Sequence, residues 1–232
     1  MKFKYLISAF VLFSFSCETE DVEPITPNDP VDPSDVLGCT DQNAVNYNSD
    51  ANIDDGCCQY ASLLLNEVLY DPSNSGLEGD ANGDGVYVHN EDEFVELINV
   101  SNSNSDISGY EFYDNANLIL GMPNHIVPPA TVLTPMKAYV VFGGGTPTGN
   151  FGGAIVHTAS ASVLNLNNAS DSLIIKNEIG ETLIVFDIEA LSNNPNESYT
   201  RLPDICGGDF VQHNSTSLGL FSPGTKSNGD PF

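Results

Sequence analysis

The stretch from Ser172 to Phe186 has the sequence SLIIKNEIGETLIVF, and it decides the fold class of the chain. Two short apolar runs flank the tetrapeptide Asn177–Gly180, a pattern that predicts a β-hairpin. Similar short runs recur outward from it, separated by clusters of Gly, Asn, Pro and Ser. The predicted strands are Leu63–Leu69, Glu93–Val100, Ala138–Phe142, Ala154–His157, Val163–Leu166, Ser172–Lys176 and Thr182–Phe186. Because no window has a long helical apolar period, we expect an all-β sandwich with long loops.

Charge narrows the possible partners. The 232 residues include 6 Lys and Arg against 32 Asp and Glu, a formal net charge of −26. This balance excludes nucleic acid as a partner, because phosphate binding depends on Lys and Arg displacing counterions. It also argues against docking on anionic lipid through a basic patch. The charge favours either a highly soluble surface or carboxylates that a divalent cation holds together.

The first 16 residues have the order of a secretory signal: basic residues, an apolar run and a small residue. The apolar run of 11 residues is shorter than the roughly 20 that a transmembrane helix needs. The ending Ser14–Ser16 before Cys17 resembles a bacterial lipoprotein signal. That resemblance implies a lipid on Cys17 and an anchor in the outer membrane. The alternative is ordinary signal cleavage, which would leave Cys17 as a free thiol.

Residues 17–36 form an acidic, Pro-rich segment that we expect to be a disordered tether. After cleavage before Cys17, the chain would keep four of its six Lys and Arg residues and all 32 acidic residues, a formal net charge of −28. Acidic residues directly after the cysteine resemble the surface-export signal of Bacteroidetes lipoproteins. The resemblance implies a location on the cell surface, and a periplasm-facing location is the alternative.

Residues 37–60 form a small module rich in Cys and Asp. With Cys17 set aside for lipid, four cysteines remain, and four cysteines in an exported chain allow three disulfide pairings. The sequence GCTDQNAVNYNSDANIDDGCCQY resembles a short module of Bacteroidetes surface proteins that is similar to part of a thrombospondin type 3 repeat. That resemblance implies a Cys39–Cys58 disulfide. Cys57 and Cys206 would then pair and staple the module to the main domain, or both would remain unpaired.

The main domain, residues 61–232, carries an ordered series of short motifs. They are Leu65–Val68 (LNEV), Asp92–Asn99 (DEFVELIN), Asp106–Tyr110 (DISGY), Leu173–Gly180 (LIIKNEIG), Ser198–Arg201 (SYTR) and Ser222–Thr225 (SPGT). The series resembles the lamin tail domain, which also occurs in bacterial exported proteins, along most of residues 62–230. This resemblance implies an immunoglobulin-like β-sandwich and names no ligand.

Three glutamates lie unusually within the predicted strands: Glu67, Glu93 and Glu96. Carboxylates are depleted in strands. Glu93 and Glu96 are three residues apart, so they face opposite sides of a regular strand. We interpret the three as charges that face solvent or as acceptors for loop amides.

The segment Asp80–Glu91 fits the calcium-loop pattern D-x-[DN]-x-[DN]-G-x5-E. Ca²⁺ takes six to eight hard oxygen ligands, and the pattern supplies them at alternate positions. The expected ligands are Asp80, Asn82, Asp84, the carbonyl of Val86 and one closing carboxylate from Glu91, Asp92 or Glu93. The alternative is a loop that is merely solvated, and Mg²⁺ fits less well because it prefers fewer protein ligands.

The flanks of this loop differ from those of an EF-hand. The Pro, Ser, Asn and Gly residues before it disfavour an entering helix, and the exit leads into a predicted strand. We therefore expect a calcium loop inserted between two strands. Bacterial lamin tail proteins resemble this arrangement, with acidic residues at the same point.

The sequence contains no zinc pair of the H-E-x-x-H type, no G-x-S-x-G elbow and no phosphate-binding P-loop. Cys206 beside two glycines is more typical of a disulfide than of a nucleophile in an oxidising compartment. We expect a protein that is not an enzyme, a calcium-binding cell-surface lipoprotein that binds an unknown protein or glycan or acts as a scaffold. The alternatives are a calcium-dependent extracellular hydrolase and an adhesion module with an outward aromatic patch such as Tyr110, Phe112 and Tyr113.

Overall fold

The structure, a computed structural model, describes residues 34–42, 44–206, 208–216 and 219–232, and its regular secondary structure is mostly short strands. In chain order the strands are β1 (Leu37–Gly38), β2 (Ile53–Asp54), β3 (Leu63–Leu69), β4 (Phe94–Asn99), β5 (Ser105–Asp106), β6 (Glu111–Tyr113), β7 (His125–Ile126), β8 (Val132–Leu133), β9 (Ala138–Phe142), β10 (Ile155–Thr158), β11 (Ser172–Lys176), β12 (Thr182–Asp187), β13 (Tyr199–Arg201) and β14 (Phe210–Gln212). The helices are α1 (His89–Asp92), α2 (Asn115–Leu120) and 3-10 turns at Phe151–Gly153 and His213–Ser215. Within the described ranges, every helix is too short and too polar to cross a membrane.

Two sheets form the body of the fold. The larger has six strands in the order β10-β9-β4-β3-β13-β14, and the smaller has four in the order β12-β11-β6-β7. The main core combines residues of both sheets, such as Val95 and Leu97 from β4 with Leu173 and Ile175 from β11. The predicted all-β sandwich is therefore confirmed, and β11 and β12 form the predicted antiparallel hairpin.

One predicted strand is wrong. Residues 163–166 form no strand, although Leu164 and Leu166 are buried. Ser162 and Asn165 adopt positive φ angles of 62° and 59°, which interrupt an extended run. The apolar side chains of this segment fill the core from a loop.

Strand β3 contains a bulge that changes which residues face the core. Its pairing with β4 shifts between Leu65 and Glu67, so Asn66 is the extra residue. Before the bulge, odd-numbered residues such as Leu65 face the main core. After it, even-numbered residues such as Val68 and Tyr70 do so, and Glu67 turns to the other face of the sheet. The bulge thus places Glu67 directly opposite Glu96 on β4.

The second face of the large sheet is also covered. Leu69, Phe94 and Phe142 form a second core cluster there, against which Phe151 and Phe221 pack. Glu67 and Glu96 lie on this face and are completely buried. Both faces of the central strands are therefore dry, which explains why β3 and β4 are buried along their whole length.

The small module and the sandwich belong to one compact unit, residues 35–232. The structure joins Cys39 to Cys58, the pairing that the resemblance implied, and Cys57 to Cys206, one of the two alternatives left open for these cysteines. Asn102 of the sandwich adds hydrogen bonds to the backbone oxygens of Val45 (3.2 Å) and Tyr47 (3.0 Å). The second disulfide therefore fixes the module to the C-terminal part of the sandwich. The predicted signal peptide, the lipidated Cys17 and almost all of the tether lie outside the described residues.

Candidate functional site

The predicted calcium loop lies between β3 and α1, and its own side chains shape it. Asp80 accepts a hydrogen bond from the amide of Gly85 through Oδ2 (2.9 Å). Asn82 accepts one from the amide of Asp84, and Asp84 one from the amide of Val86, both at 3.0 Å. Gly85 has a φ of 90°, a turn that a glycine makes without steric cost. These side chains at alternate positions close the loop by accepting hydrogen bonds from its own amides.

Three of the predicted ligands meet at Gly145, on the loop that follows β9. A β-carbon at Gly145 would meet Asn82 Nδ2 and would lie 2.7 Å from Asp84 Oδ2 and 3.3 Å from Glu91 Oε2. The φ of 70° at Gly145 also favours glycine. The Asp84 and Glu91 carboxylates therefore both approach Gly145, so Glu91 lies near a predicted ligand of the loop.

Asp80 has an atom that nothing in the described chain satisfies. Its Oδ1 is buried and has no hydrogen-bond partner. Leaving a buried acceptor unpaired costs about 1–3 kcal/mol, and more for a charged group. A cation at this oxygen would remove that cost, so the residues present fit a calcium ion in this respect.

Asp92 and Glu93, the other candidates for the closing carboxylate, accept hydrogen bonds from backbone amides. Asp92 lies at the end of α1 and accepts hydrogen bonds from the amides of Asn82 (3.2 Å) and Val88 (2.8 Å). Glu93 points to the opposite side and accepts a bond from the amide of Leu166 (3.2 Å). Burial raises the pKa of Glu93 to about 9, because desolvation penalises its charged form. Both carboxylates accept backbone hydrogen bonds that hold loops in place.

The acidic side chains do not form a finished metal cage. Among the residues that the structure describes, no group of three or more His, Cys, Asp and Glu side chains is arranged to hold a metal ion. A complete set of ligands would thus need Asn82, the Val86 carbonyl and water in addition to Asp80, Asp84 and Glu91, with some movement of these side chains.

A second site with buried carboxylates is the cross-strand pair Glu67–Glu96, which is surrounded by hydrogen-bond donors. Glu67 accepts hydrogen bonds from Ser198 Oγ (2.6 Å), Ser222 Oγ (2.8 Å) and the Ser222 amide (2.9 Å). Glu96 accepts bonds from Asn66 Nδ2 (2.9 Å) and the Gly224 amide (2.5 Å). The pair therefore clamps the C-terminal segment onto the large sheet. Sequence reasoning identified these glutamates as acceptors for loop amides or as exposed charges, and the first reading describes what the structure shows.

Protonation of this pair should make the stability of the folded protein depend on pH, and Glu96→Gln should weaken that dependence. Burial and then the neighbouring Glu67 charge raise the pKa of Glu96 above its ordinary 4.5. The folded state therefore binds protons more tightly than the unfolded state. The resulting stability is fully present below pH 4.5 and declines as pH rises, by at most about 1.4 kcal/mol per pH unit for one group. Urea unfolding at a series of pH values should show a flatter decline in Glu96→Gln.

Glu181→Gln is the matched control for this prediction. Glu181 is exposed and accepts a bond from Asn177 Nδ2 (2.8 Å) in the β11–β12 turn. Its replacement should leave the pH slope unchanged. Equal slopes in the wild type and Glu96→Gln would show that the carboxylate pair does not titrate in this way.

The nearest arrangement to a catalytic one joins Ser160, His125 and Tyr139. Ser160 Oγ lies 3.3 Å from His125 Nδ1, and His125 Nε2 lies 2.6 Å from the Tyr139 hydroxyl. Burial lowers the pKa of His125 to about 4, which makes it a weak base at neutral pH. Ser160 Oγ is also within hydrogen-bond distance of both the amide (3.2 Å) and the carbonyl (3.4 Å) of Ile126. Ser160 therefore links the His125 side chain to the backbone of β7.

Beside the calcium loop lies an open cleft of about 530 Å³ that the sequence analysis did not identify. One wall is the glycine-rich segment from Gly145 to Phe151, and the other is formed by residues of β10, including His157. In the sequence, this segment is marked by the Gly143–Gly145 run, a composition that favours a loop. The cleft could not be foreseen because its walls depend on the pairing of β10 with β9.

The adhesion alternative named an outward aromatic patch that the structure does not form. Phe112 is completely buried and Tyr113 nearly so, while Tyr110 packs against the main core. These aromatic side chains stabilise the sandwich.

Comparisons with known proteins agree with the fold and with the ordered motifs. Residues 59–189, more than half of the 232-residue chain, match the family model of the Lamin Tail Domain. A search of curated proteins finds no match. The matched region runs from the end of the cysteine module through β12 and includes the calcium-loop segment. The chain therefore belongs to the lamin tail domain family.

Proposed function

We propose that this protein is a non-enzymatic, calcium-binding module that binds or scaffolds other molecules at the cell surface. The observation that carries the proposal is the Asp80–Glu91 loop, in which Asp80 Oδ1 is buried without a partner. Bound Ca²⁺ would take oxygens of Asp80, Asn82, Asp84 and Glu91 and would stiffen the loop. The acidic charge of the chain favours such binding, because the carboxylates repel one another when no cation is present.

The loop is connected to a neighbouring surface, which gives calcium a route to influence binding. The Thr146 amide donates to Asp84 Oδ2 (3.1 Å), and the Thr148 amide donates to the Asn82 carbonyl (2.8 Å). The Gly144 amide donates to the Glu91 carbonyl (3.2 Å). Ordering of the calcium loop should therefore order residues 144–148 as well.

The anchor and location rest on the sequence. The lipoprotein-like signal supports a lipid on Cys17, and the acidic tether supports export to the outer face of the outer membrane. The two disulfides agree with an oxidising compartment.

Calcium should raise the melting temperature of the full chain. A ligand at about 100 times its Kd adds about 2.7 kcal/mol to the stability, roughly 5–10 °C for a protein of this size. Mg²⁺ should give a smaller shift. Thermal melts with excess CaCl₂, MgCl₂ or EDTA measure these differences, and no difference between CaCl₂ and EDTA would contradict the proposal.

The variant Asp80→Asn tests the specific ligand. It keeps one oxygen for the Gly85 amide but can place a nitrogen where the unpartnered Oδ1 lies, so the calcium shift should vanish. Asp187→Asn is the matched control, because Asp187 is exposed and caps the Glu189 amide (3.0 Å) in a similar turn. If Asp80→Asn kept the full calcium-dependent shift in melting temperature, the metal would have to bind at another site.

A further inference from the structure

The cleft beside the calcium loop has a chemical character of its own. None of its lining residues is an acid, Lys or Arg. Charged residues make up 16% of the chain, and acidic residues dominate among them. The formal net charge of −26 disfavours an anionic ligand at long range, and the lining itself offers no carboxylate to a cation. These features select a ligand without net charge.

The lining combines an aromatic ring with hydrogen-bonding groups. Phe151 packs against Phe142 (5.3 Å between ring centroids) and remains partly exposed. Asn150, Thr146 and Thr158 contribute an amide and two hydroxyl groups. His157 also lines the cleft, and its Nδ1 is buried without a hydrogen-bond partner. A ligand that has both an apolar face and several hydroxyl groups would match this set.

The backbone conformation of Phe151, which carries this aromatic ring, is strained. Phe151 has a φ of 43°, in the left-handed region that side chains other than glycine rarely adopt. Such a conformation costs of order 1–3 kcal/mol and persists only where the surroundings impose it. The contact with Phe142 and the adjoining turn hold Phe151 at the wall of the cleft, where its ring is presented in a fixed orientation.

We propose that this cleft binds a ring of a neutral saccharide, with its apolar face on Phe151 and its hydroxyl groups on Asn150, His157 and the threonines. The proposal deepens the proposed function and rests on it for one part, the dependence on calcium. Because residues 144–148 are hydrogen-bonded to the calcium loop, calcium should tighten saccharide binding. By reciprocity, saccharide should tighten calcium binding by the same factor.

The test uses the full chain and three neutral probes, cellohexaose, mannohexaose and chitohexaose, with a galacturonic acid octamer as the charged probe. Calorimetry and ¹H–¹⁵N NMR with calcium present should show binding of at least one neutral probe. The shifted amides should lie in residues 145–158. Phe151→Leu keeps an apolar contact to Phe142 but removes the ring, and it should weaken binding roughly tenfold or more. Ile119→Ala, which changes an exposed residue outside the cleft, should leave binding unchanged.

Each outcome decides between the claims. Binding of no neutral probe, tighter binding of the charged probe, or binding that Phe151→Leu does not weaken would overturn the cleft proposal. A calcium-dependent melting shift without saccharide binding would refute the cleft and leave the calcium loop intact. Equal saccharide binding in CaCl₂ and EDTA, lost in Phe151→Leu, would support the cleft and refute its coupling to calcium.

Discussion

Replacement of Glu96 by alanine should destabilise the protein by about 3 kcal/mol at neutral pH. The substitution leaves the buried Asn66 side chain and the buried Gly224 amide without an acceptor. Each unpaired buried donor costs about 1–3 kcal/mol, and loss of the side chain also leaves a cavity. Relief of the repulsion from Glu67 offsets part of this loss. Chemical unfolding of the full chain measures the difference.

Glu96→Gln separates hydrogen bonding from charge. Glutamine keeps one oxygen acceptor and removes the charge that opposes Glu67, so its stability at neutral pH should stay within about 1 kcal/mol of the wild type. Glu181→Ala, at an exposed position, should have little effect. If Glu96→Ala and Glu96→Gln were equally stable, the clamp on Gly224 would not contribute to stability.

Hydrogen exchange in the C-terminal segment should also change in Glu96→Ala. Gly224 N–H and Ser222 N–H both donate to the buried carboxylates. In Glu96→Ala, hydrogen exchange at these amides should accelerate more than at β11, which lies in the other sheet. Uniform acceleration would indicate global destabilisation without a local clamp.

The strands were largely predictable because their signal is local. Runs such as Ala138–Phe142 and Ser172–Lys176 match the observed strands residue for residue, since an apolar run bounded by turn residues needs no distant information. The bulge at Asn66 was not predictable. It depends on how β3 pairs with β4, and without it Glu67 would not face Glu96.

The candidate sites also differ in how far they could be predicted from the sequence. The Asp80–Glu91 loop is contiguous, so its spacing alone was enough to predict candidate calcium ligands. The clamp joins residues 128–155 positions apart, such as Glu67 with Ser222 and Glu96 with Gly224. The cleft likewise requires β10 to lie parallel to β9. Features that tertiary pairing creates leave no pattern in one sequence.

Removal of the Cys57–Cys206 disulfide should cost roughly 3–5 kcal/mol. The bond joins residues 149 positions apart, and in the chain-entropy model a loop of this length restricts the unfolded state more than a short one does. The double variant Cys57→Ala/Cys206→Ala avoids a free thiol. Urea unfolding of this variant under oxidising conditions should show a lower midpoint. It should also loosen the module, for which the Asn102 bonds would remain as contacts to the sandwich.

Cys39→Ala/Cys58→Ala is the matched control, because its disulfide spans only 19 positions. The same model predicts a loss smaller by about 1–2 kcal/mol, confined mainly to residues 37–60. Limited proteolysis should therefore cut the module in the control while the sandwich stays resistant. In the Cys57/Cys206 variant the sandwich itself should become easier to unfold, since Cys206 lies beside Ile205, whose amide donates to Asn66 at the β3 bulge (2.9 Å). Equal losses in the two double variants would mean that the long-range disulfide acts only on the module and does not brace the sheet.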